Sequence, residues 1–306
     1  MTFDPSPFRD EYPWTGRHLD VGGGVRMHYL DEGAGPPVLM LHGNPTWSFL
    51  FRHLVRALAP THRVIVPDHV GCGLSDKPGD DRYAYRLARR VADVERLVDA
   101  AIPEGRITLV AHDWGGMIGL SWALRHLDRV GRIVLFNTAG FGLPEGRILP
   151  WQIGVVRHLP GVLALAVRGL NAFARGAAAT CSTVPGRMTP AIRRAYLAPY
   201  DCWAHRIAVQ RFVEDIPLQR GDPSFELVEQ VRDELLPRLA AIPVFIGWGA
   251  KDFVFDDHFL AEWRRRVPHA EIHRFEDAGH YVLEDAHERI VPLLLRFLGA
   301  AEERAA

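Results

Sequence analysis

Short apolar runs alternate with longer amphipathic stretches along most of the chain, the pattern of a domain built from alternating strands and helices. Residues 25–30, VRMHYL, alternate apolar and polar positions and suit a half-buried strand near a sheet edge. The runs at 36–43 (PPVLMLHG), 62–68 (HRVIVPD), 106–113 (RITLVAHD), 132–138 (RIVLFNT) and 242–252 (IPVFIGWGAKD) are continuous and rich in leucine or β-branched residues. Such runs suit central parallel strands buried on both faces. A further short strand is expected at 271–275. Between them, 86–101 places Leu87, Val91, Val94, Leu97 and Val98 on one helical face, with arginines elsewhere. GGMIGLSWALRH, 115–126, is rich in small residues, so its helix can pack closely on a sheet. A last helix over about 284–298 carries Ile290, Val291, Leu293, Leu294 and Phe297.

The rhythm breaks between about 140 and 235. Strand-like runs vanish, and alanine, arginine, proline and aromatics dominate PWQIGVVRHLPGVLALAVRGLNAFARG and RRAYLAPYDCWAHRIAVQRFVEDIPL. No Gly/Ser-rich hinge sets this stretch apart, and the strand pattern resumes at Ile242. The expectation is an α/β core over 1–139 and 236–306, with a helical cap over 140–235 inserted between two core strands. A cap over the carboxyl ends of a parallel sheet forms a lid, and open α/β sheets bind ligands at that edge.

Composition narrows the function classes. The 306 residues are 48% hydrophobic and 24% charged, with net charge −1, ordinary values for a globular enzyme. No basic excess or stripe of a nucleic-acid binder is present. Cys72, Cys181 and Cys202 are odd in number and lack CxxC spacing, so they read as thiols in a reducing compartment. The N-terminal MTFDPSPFRDEYPW has no apolar signal segment, and GVLALAVRGL at 161–170 is far short of the ~20 residues that span a bilayer. A cytoplasmic protein without a transmembrane segment is expected.

The candidate chemistry centres on VAHDWGG, 110–116. It follows a core strand, opens a helix, and has small residues, Ala111 and Gly115, two positions either side of Asp113. That is the strand-to-helix elbow on which hydrolases mount a nucleophilic serine, here with a carboxylate. The bland alternative is that Asp113 only caps the helix. A base in the usual chain order is His280, in FEDAGHYVLED after the last strand and before the last helix. An acid to orient it is absent after the sixth strand, where the chain reads Asn137-Thr138-Ala139, and present after the seventh as Asp252. Asp256 and Asp257 lie nearby but suit the cap of a helix starting near 257. HGNPTWSFLFR, 42–52, resembles an oxyanion loop. The side chains of Asn44 and Trp114 add two donors, which together suit an anion cradle beside Asp113. A carboxylate is ionised near neutral pH without a base and suits displacement at a saturated carbon, giving an ester whose departing anion needs holding. No cofactor or metal site is read. His112, His126, His158, His205, His258, His269 and His273 lack paired ligand spacing and read mostly as surface residues.

HGNPTWSF, PDHVGCGLSDKP, VAHDWGG and DAGHYVLED resemble the blocks of the haloalkane dehalogenases, α/β-hydrolases with an eight-stranded, mostly parallel sheet, helices on both faces and a lid after the sixth strand. The resemblance implies Asp113 as nucleophile, His280 as base, Asp252 as acid, and Asn44 with Trp114 as the leaving-group pair. The late acid with an Asn–Trp pair is similar to the third dehalogenase subgroup. In LPWQIGVVRH, LNAFARGA, RRAYLAPYDCWAHRI and RFVEDIPL the lid resembles the β-lactone decarboxylases of bacterial long-chain olefin biosynthesis. That branch implies a hydrophobic small-molecule substrate with two long alkyl chains, a cis-alkene and CO2 as products, and assembly with other olefin-pathway enzymes. The run Val162–Val167 with Phe141, Trp151, Phe173 and Trp203 is then expected to line a large apolar pocket. Attack at the β-carbon, giving an alkyl-enzyme, and attack at the lactone carbonyl, giving an acyl-enzyme, both stay open. So does hydrolysis of a 1-haloalkane by the same site. An epoxide hydrolase is a third reading, because Tyr196 and Tyr200 lie in the lid, but Asn44 favours the anion-holding families.

Overall fold

The computed structural model of the chain describes residues 3–147 and 160–302. At its centre lie eight strands: β1 (Arg17–Asp20), β2 (Arg26–Glu32), β3 (Pro37–Leu41), β4 (Arg63–Pro67), β5 (Ile107–His112), β6 (Val130–Phe136), β7 (Val244–Gly249) and β8 (Glu271–Phe275). They form one sheet in the order β1-β2-β4-β3-β5-β6-β7-β8. β2 runs antiparallel to both β1 and β4, and every other pair is parallel. Every residue of β5 and β7 is buried, which is why both read as unbroken apolar runs.

Helices α1 (Arg52–Leu58), α2 (Leu87–Ala101), α3 (Trp114–Arg125), α9 (Asp257–Arg266), α10 (Val282–Asp285) and α11 (His287–Glu302) flank the sheet. Alternate residues of β5 face opposite ways. Leu109 and Ala111 enter a core with α2, α3 and α9, whereas Val110 enters one with α1 and α11. Asp256 caps α9 by accepting from the His258 N–H, as expected. One strand, β1, escapes sequence reading. Its four residues are Arg-His-Leu-Asp, none of them buried, so an edge strand held by main-chain pairing leaves no apolar trace. Charge at such an edge also discourages further strand addition.

Between β6 and β7 the described residues hold helices and no strand. They are α4 (Pro160–Ala164), which runs into a π-helical turn over Leu165–Gly169, then α5 (Ala172–Thr180), α6 (Pro190–Leu197), α7 (Ile207–Glu214) and α8 (Phe225–Gln230). The segment after β3 ties them to the strand ends. The Trp47 indole donates to the Ala195 carbonyl at 3.1 Å, and the Tyr200 hydroxyl to the Thr46 carbonyl at 3.2 Å. Below, buried Arg52 forks onto Glu284, and the Tyr196 hydroxyl donates to the same carboxylate. Trp151, His158 and the LPWQIGVVRH motif lie outside the described residues. Cys72 and Cys181 are buried and Cys202 is exposed, all three as free thiols. Among the described residues no single helix is long and apolar enough to cross a membrane.

Strand β3 and helix α3 meet at Gly115, where a Cβ would run into the Leu41 carbonyl oxygen. Gly115→Ala should therefore destabilise the fold by about 1–3 kcal/mol, as overpacking does, despite the better helix propensity of alanine. Urea unfolding checks this; an unchanged midpoint would mean that the strand–helix contact is looser than described.

Candidate active site

Asp113 is the single residue between β5 and α3, with φ 53° and ψ −127°. A non-glycine residue at positive φ costs about 1–3 kcal/mol and persists where surroundings enforce it, commonly at functional sites. Three non-glycine residues have positive φ among those described: Asp113, Asn137 and Asn171. Two of them belong to this site. The turn lifts the Asp113 carboxylate off the sheet edge. Gly43 makes room for it, because a Cβ there would overlap the carboxylate.

The structure brings the sequence candidates together. The main-chain N–H of Asn44 donates to Asp113 Oδ1 at 2.7 Å, and the main-chain N–H of Trp114 also bonds the carboxylate. Nε2 of His280 lies 3.7 Å from Asp113 Oδ2. Nδ1 of His280 is 2.8 Å from Asp252 Oδ2, a pairing that fixes the ring and leaves Nε2 facing Asp113. Asp113, His280 and Asp252 are all buried. Burial pushes the Asp113 carboxyl above its ordinary value, opposed by His280 and the two N–H donors. For His280 burial acts downwards, but the carboxylates of Asp252 and Asp113 outweigh it, so the imidazole sits above 6.5.

Two residues of this site were not singled out from the sequence. Asn137 stands at the end of β6, where the missing carboxylate was sought. Its Nδ2 donates to Asp252 Oδ2 at 2.9 Å and to the Gly249 carbonyl at 3.1 Å, while its Oδ1 accepts from the Gly249 N–H at 2.8 Å. The Val254 N–H completes Asp252 by donating to Oδ1 at 2.7 Å. The sequence signal was present, an amide at the alternative acid position, but a search for charge passes over it. The second is His112. It is no surface residue: as the last position of the fully buried β5 it lies under the His280 loop, with Nε2 2.8 Å from the His280 carbonyl. Burial holds His112 well below the ordinary imidazole value, so it is neutral and donates that bond. His258 and His269 are exposed and His126, His205 and His273 partly so. His205 does meet Asp201 and Cys202, their ligand atoms within 4.8 Å of one another, in a group at the surface and outside the cavity described next.

A cavity of about 770 Å³ opens on Asp113. Asn44, Trp114 and His280 share its wall with apolar side chains that include Met117, Phe141, Phe173, Val213 and Phe255. Its size lies towards the upper end of the ~300–1,000 Å³ common for ligand pockets. One Asn44 amide hydrogen is engaged with the Val209 carbonyl of α7 at 3.2 Å; an amide nitrogen carries two, so one remains for a ligand. The pocket prediction holds in part. Phe141, Phe173, Ala166 and Val167 line the cavity. Val162 and Leu165 do not; they are exposed, on the outer side of the same helical ridge. Trp203 is also exposed, lying under the Arg168 guanidinium 4.7 Å from its ring centroid. Tyr196 and Tyr200 are buried and bonded elsewhere, to Glu284 and the Thr46 carbonyl, and neither lines the cavity. An epoxide hydrolase would lack its two phenols here.

Residues 36–287 match the family model described as the alpha/beta hydrolase fold. The chain belongs to that family. Within it, the α/β-hydrolase described here is 50% identical over 294 residues to a cis-3-alkyl-4-alkyloxetan-2-one decarboxylase of Xanthomonas campestris pv. campestris, covering 94% of this chain and 97% of that one. It is 47% identical over 290 residues to the protein of that name from Shewanella oneidensis, covering 94% and 90%. Among solved structures, a haloalkane dehalogenase of Agrobacterium tumefaciens C58 superposes with a TM-score of 0.82 at 26% identity, covering 94% and 96%.

The charge arrangement has a measurable consequence for this α/β-hydrolase. The His280 imidazole should titrate with a midpoint above 6.5, followed by NMR of the ring protons or nitrogens. In Asp252→Asn one supporting charge is gone while burial stays, so the midpoint should fall; an unmoved midpoint would refute the pairing. Asn137→Ala leaves the charges in place but removes a donor from Asp252. It should lower turnover roughly tenfold or more, the range for removing groups that orient a reactive side chain, with little change in KM.

Proposed function

We propose that this α/β-hydrolase is a β-lactone decarboxylase, converting a cis-3,4-dialkyl oxetan-2-one with long alkyl chains into a cis-alkene and CO2. The observation that carries the reading is the near-full-length identity of 47–50% to two proteins named for that reaction, against 30–36% to haloalkane dehalogenases and 26% to the dehalogenase structure. The cavity supports it, being large, mostly apolar and equipped with a carboxylate and anion donors. On this reading residues 1–139 and 236–306 form the core and 140–235 the lid. Assembly with the enzymes that supply the lactone belongs to the same reading.

Asp113 is the nucleophile. One carboxylate oxygen bonds to the ring carbon that carries the lactone oxygen, and that C–O bond breaks. The freed carboxylate is held by the Asn44 amide and the Trp114 indole N–H. The electron pair of the bond to the carboxyl carbon then forms the double bond and expels Asp113, and CO2 departs. No proton is transferred and no water is consumed. His280, oriented by Asp252, faces Asp113 and keeps its carboxylate placed. It becomes a general base when water must attack an alkyl-enzyme ester, the second half of haloalkane hydrolysis. That reaction is the alternative reading, favoured by the same donor pair and by the similarity in fold.

Purified protein is given a long-chain cis-β-lactone or, separately, a 1-bromoalkane. Alkene formation without bromide release is expected; bromide release with no alkene would sink the decarboxylase reading. Run in D2O, the alkene should carry no deuterium. Asp113→Ala should abolish either turnover. Any bromoalkane hydrolysis should stop in His280→Ala with an alkyl group left on Asp113, seen as added intact mass.

A further inference from the structure

Seven large apolar side chains stand exposed among the described residues, and Val162, Leu165, Leu170 and Trp203 are four of them. Leu165 and Trp203 meet in a ridge, with Val162 one helical turn before Leu165 and Leu170 next to Gly169. The backbone at Gly169 lies between Leu165 and Trp203, each within 4 Å of where a Cβ would stand, and Leu170 follows it. Leu165 and Leu170 are 62% and 65% exposed, which is costly in water unless something covers them. The opposite side of the same two helices, through Ala166, Val167, Ala172, Phe173, Gly176 and Ala177, lines the cavity. One layer of helix therefore separates the bare ridge from the site.

Charge says what the ridge faces. Residues 160–206 hold six arginines, no lysine and a single acid, Asp201, a local excess of +5 in a chain whose net charge is −1. Arg206 bonds the carbonyls of Arg168, Gly169, Tyr200 and Asp201, and Arg168 bonds that of Trp203. These contacts fix both guanidinium groups at the edge of the ridge through carbonyls rather than ion pairs, with the Asp80 and Glu214 carboxylates near enough to Arg168 to act on it. Arg175, Arg193 and Arg194 are exposed, whereas Arg187 pairs with Glu288. Protruding aliphatic side chains, a tryptophan at their border and two guanidinium groups at their edge are the complement of an interface with anionic headgroups outside and acyl chains beneath.

We propose that the ridge of Val162, Leu165, Leu170 and Trp203 seats on an anionic phospholipid bilayer. The protein then lies on the membrane surface, and a long-chain substrate passes from the acyl layer to the cavity behind the ridge. Binding itself does not depend on the reaction; only the delivery of substrate rests on the decarboxylase reading.

The test is sedimentation of the full chain with vesicles of phosphatidylglycerol and phosphatidylethanolamine, compared with phosphatidylcholine alone. Binding about tenfold or more stronger to the anionic vesicles is expected, weakening with salt, with a blue shift of tryptophan emission that Trp203→Phe removes. The double variant Leu165→Glu/Leu170→Glu should lose the binding about tenfold or more. It should keep its melting temperature and its turnover of a short, water-dispersed substrate, and lose turnover of long-chain lactone presented in vesicles. Wild-type protein left in the supernatant at low salt, or a double variant that sediments like wild type, would overturn the proposal. Loss of a soluble oligomer in the double variant, with no vesicle binding by wild type, would assign the ridge to self-association instead. Vesicle binding with no product from the lactone would leave the ridge standing and count against the reaction alone.

Discussion

The site depends on one constraint, a carboxylate held out of water on a strained turn. Asp113 adopts φ 53° because β5 must end and α3 begin with a single residue between them. Burial alone would push its carboxyl towards the neutral form. The main-chain N–H groups of Asn44 and Trp114 and the nearby His280 oppose that push, and each belongs to a different part of the fold. Asn44 follows β3, the strand next to β5. Trp114 is the first residue of α3. His280 comes from the loop after β8, at the far edge of the sheet. Glycines at 43 and 115 bring these parts to contact distance. A neutral carboxyl is a poor nucleophile, so on the proposed reading the packing of the turn and the chemistry of the site are one requirement.

A second tier holds the first. Asp252 Oδ2 accepts from Asn137 as well as His280, and Asn137 is clamped to both polar main-chain groups of Gly249 at the end of β7. Neutral His112, buried beneath, donates to the carbonyl of His280. The imidazole is thus fixed from the ring side by Asp252 and from the main-chain side by His112. Its charge is set by two carboxylates working against burial. Removing an outer member is felt at the reacting end through orientation rather than contact.

Much of this was legible in the sequence because it is written in local patterns. Buried strands read as continuous apolar runs, and the elbow reads as small residues around Asp113. His280 and Asp252 follow from chain order. What was not legible falls into two kinds. Strand β1 is polar and owes its place to main-chain pairing with β2. Asn137, His112 and the outward face of Leu165 depend on which strand or helix lies alongside, a fact of tertiary packing. Only part of 162–167 forms the pocket wall for the same reason: apolar character does not say which side of a helical layer meets the ligand. Ala166 and Val167 face in, while Val162 and Leu165 face out.

On the proposed reading, in which Asp113 forms an ester with the substrate, the apolar wall bears on which reaction that ester undergoes. Such an ester has two exits. Water can attack its carbonyl with help from His280, or a carboxylate already on the bound group can leave as CO2 and push Asp113 off. The second exit needs a lactone-derived group, because a group from a haloalkane carries no carboxylate. It also needs no proton and no water, so a cavity lined by Met117, Phe141, Phe173 and Phe255 does not slow it. The first exit needs a water placed beside His280, and these apolar side chains offer such a water little hydrogen bonding. On that reading one nucleophile and one pair of anion donors suit both families, and the choice between exits lies in the substrate and in the access of water to the ester.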